Sequence, residues 1–405
     1  MKLHTRFLAL LLAGVMTLSL AACTGGENAD DPPTSPSGNL DETENTTDSI
    51  LPDDFVVDTA VADLCLATAD IPGDFELFTV NGTPVTARAY LYWMTYNIYY
   101  LTQVYGITLD WEPTEDGFSL SDYLKEDTRN AAAYYSLIVS KAKELGFDLT
   151  QEQIDELEDN LALTISMTGE EEFEDGLRKA GLDYDTLYAM NAAPYYYEQL
   201  LNGLYAGRPT SDEMAAYIEE NDILYAKHIL LATVDLNTRE PLDEDTIAEK
   251  KATAERLLTQ LQSSTDPAAD FDALMNEYSE DPGLASNPDG YTFTAGQMVS
   301  EFETATRELE FGQISGLVES STTGYHIILR LDPADLEDLR EECRADLLDT
   351  QMEAWLGEAE IVLSDEYNAL DPHMFYEKYT AYQEAFAAEE EAAAAEDDSS
   401  DSQEN

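Results

Sequence analysis

Two histidines lie inside short apolar runs, His228 in Lys227-His228-Ile229-Leu230 and His326 in Tyr325-His326-Ile327-Ile328. Imidazoles can give or accept a proton near neutral pH, so two of them brought together could organise a hydrogen-bond network. Between them in the chain come Asp281, followed by Pro282, and the pair Met298 and Phe302 at i, i+4 spacing. A carboxylate near the imidazoles would set the local electrostatics. The helically spaced pair would present one apolar wall. Each residue also has a plain structural reading: core histidines, a turn aspartate, core side chains. Taken singly, none decides between the two. Four histidines in the whole chain, one of them His4, are too few and too dispersed to form a zinc site. Cys65 and Cys343 permit one disulfide without implying it.

The elements that must position these residues can be read from periodicity. Ile223 to Leu231 is a mostly apolar run interrupted by Lys227 and His228, and it predicts a buried strand. Ile247, Ala254, Leu257, Leu258 and Leu261 mark a helix, and Phe271, Leu274, Met275 and Tyr278 a second. A Pro- and Gly-containing loop over 279–290 leads to a short strand at Tyr291 to Thr294. Phe302, Ala305 and Leu309 mark a third helix. Leu317-Val318 and Tyr325 to Leu331 form a hairpin around Thr322-Thr323-Gly324. The order is strand, helix, helix, strand, helix, strand, strand, an α+β domain.

Helices flank it. Phe78 to Thr86 carries an Asn81-Gly82 turn and predicts a hairpin. Thr86 then caps a helix through Tyr105, rich in aromatic residues (Tyr90, Tyr92, Trp93, Tyr96, Tyr99, Tyr100) on more than one face, and so expected to be largely buried. Further amphipathic helices are expected near 121–145, 150–167, 170–180 and 183–205, with Gly146 and Gly181 at helix ends. Thr210 and Glu213 form a capping-box pattern before a short helix. Beyond Pro333, Leu336, Leu339, Cys343, Leu347, Met352 and Trp355 predict one long helix. Ile361 to Leu363 reads as a strand and 365–386 as a helix. The simplest packing returns these C-terminal helices to the N-terminal set.

The segments around His228, Tyr278-Ser279-Glu280-Asp281-Pro282, Gly296-Gln297-Met298-Val299-Ser300-Glu301-Phe302-Glu303, Gly312-Gln313-Ile314-Ser315 and Gly324-Tyr325-His326-Ile327-Ile328 stand in the order and spacing of the parvulin-type peptidyl-prolyl isomerases, which this region resembles. With the flanking helices, the chain is similar to the PrsA-type foldase lipoproteins. The resemblance implies an α+β fold with a parvulin-like four-stranded antiparallel sheet, flanked by an all-helical N-terminal/C-terminal chaperone-like domain. It implies cis–trans isomerisation of X–Pro bonds, with no cofactor and no metal, since no bond is broken. It assigns catalytic positions to His228, Asp281, Thr323 and His326, and substrate-binding positions to Phe293, Met298 and Phe302. The chain departs from the family where a Gly-Gly-Asp-Leu-Gly stretch often precedes the short strand. Here Asn287-Pro288-Asp289-Gly290-Tyr291 stands, the pocket leucine is absent, and Tyr291 is the residue available to substitute. A holdase that binds unfolded exported chains, with a weak or inactive isomerase domain, is the alternative. Unfolded or folding secreted polypeptides are the expected partners under either.

Composition narrows the class from another side. The chain carries 84 acidic against 20 basic residues, a net charge of −64. Nucleic-acid binding needs Lys and Arg for phosphates, so it is excluded. Lys2 and Arg6 precede an apolar run from Phe7 to Leu20, and Leu20-Ala21-Ala22-Cys23 follows. This predicts an export signal over 1–22. Its junction resembles the bacterial lipobox, which implies lipidation of Cys23 and anchoring to the outer face of the cytoplasmic membrane. The expected domains are then a disordered acidic tether over 23–72, a helical domain over 73–222, the isomerase domain over 223–333, C-terminal helices over 334–386 and an acidic disordered tail over 387–405.

Overall fold

The computed structural model describes residues 49–52 and 54–401. The expected export signal, Cys23 and the first part of the tether lie outside the described residues, as does the end of the tail. The chain divides into two compact units. One is Gly207–Leu347; the other combines the chain before Gly207 with the chain from Leu348 onward.

The discontinuous unit begins with a short helix, α1 (Leu64–Ala69), capped by the Asp63 carboxylate, which accepts from the Cys65 and Leu66 N–H groups. Leu64, Cys65 and Ile71 are buried. This corrects the expected tether: residues 64–72 are folded, because three apolar side chains there find a core that the overall polar composition of 23–72 hides. The hairpin β1 (Glu76–Val80) and β2 (Thr83–Thr86) follows, with Asn81 and Gly82 both at positive φ in its turn. Thr86 caps α2 (Ala87–Tyr99) by accepting from Ala89 N–H, and a π-helical turn, Tyr100–Val104, extends it. Four helices complete this half: α3 (Leu120–Glu144), α4 (Gln151–Thr168), α5 (Glu170–Lys179) and α6 (Tyr184–Leu204). The aromatic helix α2 is divided in burial. Tyr90 and Trp93 are buried, whereas Tyr99 is 55% exposed.

In the other unit, α7 (Ser211–Glu220) starts at the capping box of Thr210 and Glu213. Then come β3 (Leu224–Ala232), α8 (Glu244–Gln262), α9 (Pro267–Tyr278), β4 (Tyr291–Phe293), α10 (Ser300–Glu308), β5 (Val318–Ser320) and β6 (Gly324–Arg330). The four strands form an antiparallel sheet in the order β4-β3-β6-β5. Alternation along the strands sends Ile229, Leu231, Tyr325, Ile327 and Leu329 to a core with α8 and α9. The opposite parity sends Leu224, Ala226 and Ile328 toward Phe302 and Leu309. The unit starts earlier and ends later than the expected 223–333. Met214 of α7 packs with Leu339 and Cys343 of α11 (Glu337–Glu358) and so brings both flanks in.

The chain from Leu348 returns to the first unit. There β7 (Ile361–Leu363) pairs antiparallel with β1, making a three-stranded sheet in the order β2-β1-β7. The flanking domain is therefore helical with one small sheet, rather than all-helical. Next come α12 (Asp365–Ala369) and α13 (Pro372–Asp401). Phe78, Tyr90 and Tyr367 stack edge to face with centroids 5.6–6.0 Å apart. The Asp349 carboxylate accepts from the Tyr134 and Tyr197 hydroxyls at 3.0 and 2.9 Å. Helix α13 runs through residues 387–401, where a disordered tail was expected; Ala and Glu favour the helix there. Cys65 and Cys343 are both free and buried.

Candidate active site

The register of the central strands brings the two histidines together. His228 lies opposite Ile328 and Leu230 opposite His326, so the histidines are diagonal neighbours on one face of the sheet. Their rings stack at 11° with centroids 5.2 Å apart, and Nδ1 meets Nδ1 at 3.0 Å. His326 is buried and His228 half-buried.

Asp281 reaches them from a loop tied to the edge of β3. Strand β4 covers that edge only as far as Ala226. Beyond it the loop supplies the missing partners: Leu230 N–H donates to Ser279 Oγ, Glu280 N–H to Leu230 O, and Ala232 N–H to Glu280 Oε2. This splint delivers Asp281 Oδ2 to within 3.1 Å of His228 Nε2. Gly283 N–H donates to Oδ1 at 3.1 Å, and the Tyr291 hydroxyl donates to Oδ2 at 2.6 Å. Burial alone would raise the Asp281 carboxyl. The bonds from His228 and Tyr291, with the attraction of His228 and the Gly283 N–H, outweigh it and hold it at about 2.

Thr323 completes the other end, its Oγ1 lying 2.7 Å from His326 Nε2. Its carbonyl accepts from Thr233 N–H. Gly324 beside it has φ +141°, and a Cβ there would fall 2.3 Å from Leu231 O, so glycine is required for the strands to approach. Burial pushes His326 down to about 3, and its neighbour His228 adds to this. The imidazole of His326 is thus neutral across the ordinary pH range.

These constraints orient every proton. Ionised Asp281 can only accept, so His228 carries its hydrogen on Nε2 when neutral. Its Nδ1 is then bare, and His326 must donate from Nδ1. The bare Nε2 of His326 in turn accepts from the Thr323 hydroxyl.

Beneath the histidines lies the apolar floor. Phe302 of α10 meets the His228 and His326 rings edge-on at 5.2 and 5.5 Å, and Phe293 packs against it at 5.6 Å. Both phenylalanines are buried, 3% and 2% exposed. Met298 is half-buried against the same cluster. The structure thus joins all seven expected residues in one site and divides their tasks. Met298 is the accessible apolar surface; Phe302 supports the histidines from below, and Phe293 backs Phe302. Two contributions were not read from the sequence. Ser279 and Glu280 act as the splint, although their segment was recognised through Asp281. Tyr291 was read only as a wall, whereas its hydroxyl engages Asp281.

Residues 228–332 match the PPIC-type PPIase domain of the rotamase family. The chain carries a parvulin-type isomerase domain. It is 37% identical over 175 residues to the foldase protein PrsA of Halalkalibacterium halodurans, covering 40% of this chain and 46% of that protein. It is 40% identical over 89 residues to foldase protein PrsA 4 of Bacillus cereus, covering 22% of this chain and 31% of that protein. The chain therefore spans less than half the length of these curated relatives. The crystal structure of the peptidylprolyl isomerase PrsA from Bacillus cereus aligns with 66% of this chain and 97% of its own, at 25% identity and a TM-score of 0.28.

Proposed function

We propose that the chain is a foldase that catalyses cis–trans isomerisation of X–Pro bonds in exported polypeptides, held by lipid on Cys23 to the outer face of the cytoplasmic membrane. The observation that carries the reading is the continuous chain Thr323–His326–His228–Asp281 above an apolar floor, within the segment that matches the isomerase domain.

The barrier to rotation about an X–Pro amide is roughly 18–20 kcal/mol, because resonance gives the C–N bond double-bond character. Catalysis then requires a site that prefers the twisted amide to both planar forms. The proline ring would seat on Met298, over Phe293 and Phe302. That apolar contact strips water from the carbonyl, whose charge separation stabilises the planar form. Thr323, His326, His228 and Asp281 present a fixed set of dipoles to the rotating carbonyl. No nucleophile, metal or cofactor takes part.

The deciding measurement is cis–trans exchange of X–Pro peptides by NMR, alongside proline-limited refolding of a test protein. The mature chain accelerates both. Asp281→Ala lowers kcat/KM at least tenfold, which corresponds to about 1.4 kcal/mol of lost transition-state preference. No acceleration by the wild type overturns the isomerase reading. Anchoring is tested by Cys23→Ala, which moves the protein from the membrane to the soluble fraction and leaves its exchange activity unchanged.

A holdase contribution from the helical unit is favoured by one observation. Tyr99, Val104, Tyr105, Ile107 and Phe118 are exposed within a single segment. Apolar exposure concentrated in this way suits the capture of unfolded chains.

A further inference from the structure

Tyr291 opens β4, and the structure builds a socket for it. Register places Tyr291 opposite Ala226, on the same face of the sheet as His228, whose ring it meets edge-on at 5.8 Å. Gly290, at φ +109°, lets the backbone turn into β4 against Ala226; a Cβ there would lie 2.8 Å from Ala226 O. Gly283 leaves room for the phenol, since a Cβ at Gly283 would fall 2.3 Å from its oxygen. The hydroxyl lands on Asp281 Oδ2, the same oxygen that His228 uses.

Only one hydrogen fits between the two Nδ1 atoms, so the chain of bonds has a direction, and that direction can reverse. If the Asp281–His228 end of the network takes up a proton, a hydrogen comes to lie on His228 Nδ1. His326 must then accept at Nδ1, move its own hydrogen to Nε2 and donate to Thr323 Oγ1. The Thr323 hydroxyl hydrogen is thereby turned away from His326. A donor on Asp281 favours the unprotonated network, whichever group takes the proton. The groups facing the network are His228 on β3, His326 on β6, Thr323 just before it, Asp281 and Asn287 in the loop, and Tyr291 on β4. Helix α10 offers uncharged Phe302. The nearby Lys227 and Glu280 are paired with Asp272 and Lys250.

We propose that Tyr291 is a positioning residue that locks the direction of this proton chain, holding Asp281 as the acceptor of His228 and keeping the Thr323 hydroxyl on His326. The inference refines the isomerase reading and rests on it for its catalytic consequence.

The test is an NMR titration of the imidazole nitrogens in the full mature chain, with the pH profile of kcat/KM measured beside it. In the wild type, His326 carries its hydrogen on Nδ1 at neutral pH and shifts it to Nε2 on acidification. Tyr291→Phe keeps the ring and removes the donor. Losing one hydrogen bond to a charged group raises the midpoint of that shift by about one pH unit, and the acid limb of kcat/KM moves with it. Gly283→Ala displaces the phenol without altering it and moves the midpoint the same way. An unchanged midpoint in folded Tyr291→Phe overturns the proposal. So does the absence of any reversal at all pH values where the domain is folded. The titration needs no turnover: a shifted midpoint in a chain without activity would defeat the isomerase reading and leave the role of Tyr291 standing.

Discussion

His326 carries the clearest pH consequence of any residue in the site. Its folded value of about 3 lies below the ordinary imidazole value near 6.5, so the unfolded chain binds a proton that the folded one refuses. The stability this contributes is complete above about pH 6.5 and is lost progressively as pH falls toward 3. Thermal melting of the isomerase unit should therefore weaken across that window, ahead of the range where Asp281, held at about 2, takes up its proton. His326→Asn should flatten the dependence; equal slopes in the two proteins would contradict this account. At this scale much of the site was legible. His228 and His326 stood out as polar residues within apolar strands, and the ordered blocks placed Asp281, Met298, Phe302 and Thr323. The hydroxyl of Tyr291 was not legible. Its partner comes from a loop, and a loop's path depends on which strand edge it closes rather than on its own pattern.

Among the elements, α10 shows how burial changes an expectation. An i, i+4 pair on a short helix suggests two equivalent pocket residues, yet Met298 precedes the helix and Phe302 lies under both imidazoles. Truncating a buried phenylalanine costs roughly 3–5 kcal/mol, against a total stability of about 5–15 kcal/mol for a domain. Phe302→Ala should therefore lower the melting temperature sharply. Phe302→Leu should retain the fold with a smaller loss of activity. Equal melting temperatures for Phe302→Ala and wild type would show that the ring is not a support. The helices were legible because caps and periodicity agree, as at Thr86 and Thr210. Helix α1 was harder to see, since six residues carry little period and their core partners are distant in sequence.

At the level of the whole molecule, the unit boundaries predict which fragments stand alone. Residues 207–347 include Met214, Leu339 and Cys343, which a cut at 223 and 333 removes. The longer fragment should melt at a higher temperature by circular dichroism; identical melting would show that these flanks contribute nothing. The return of the chain at Leu348 was suggested by its apolar stripe and the short strand at Ile361. Where the isomerase unit begins and ends was not, because a helix shared across a boundary looks the same on either side of it. The pairing of β7 with β1 also has a consequence for synthesis. During translation β1 and β2 emerge early, while β7 comes from the ribosome nearly three hundred residues later. At a typical elongation rate of about 5–20 residues per second, that interval is tens of seconds. Throughout it the outer edge of β1 is a row of unsatisfied amides and carbonyls, open to any extended strand nearby. The chain thus passes through a window of exposure of its own, in which a holding factor would have the most to protect.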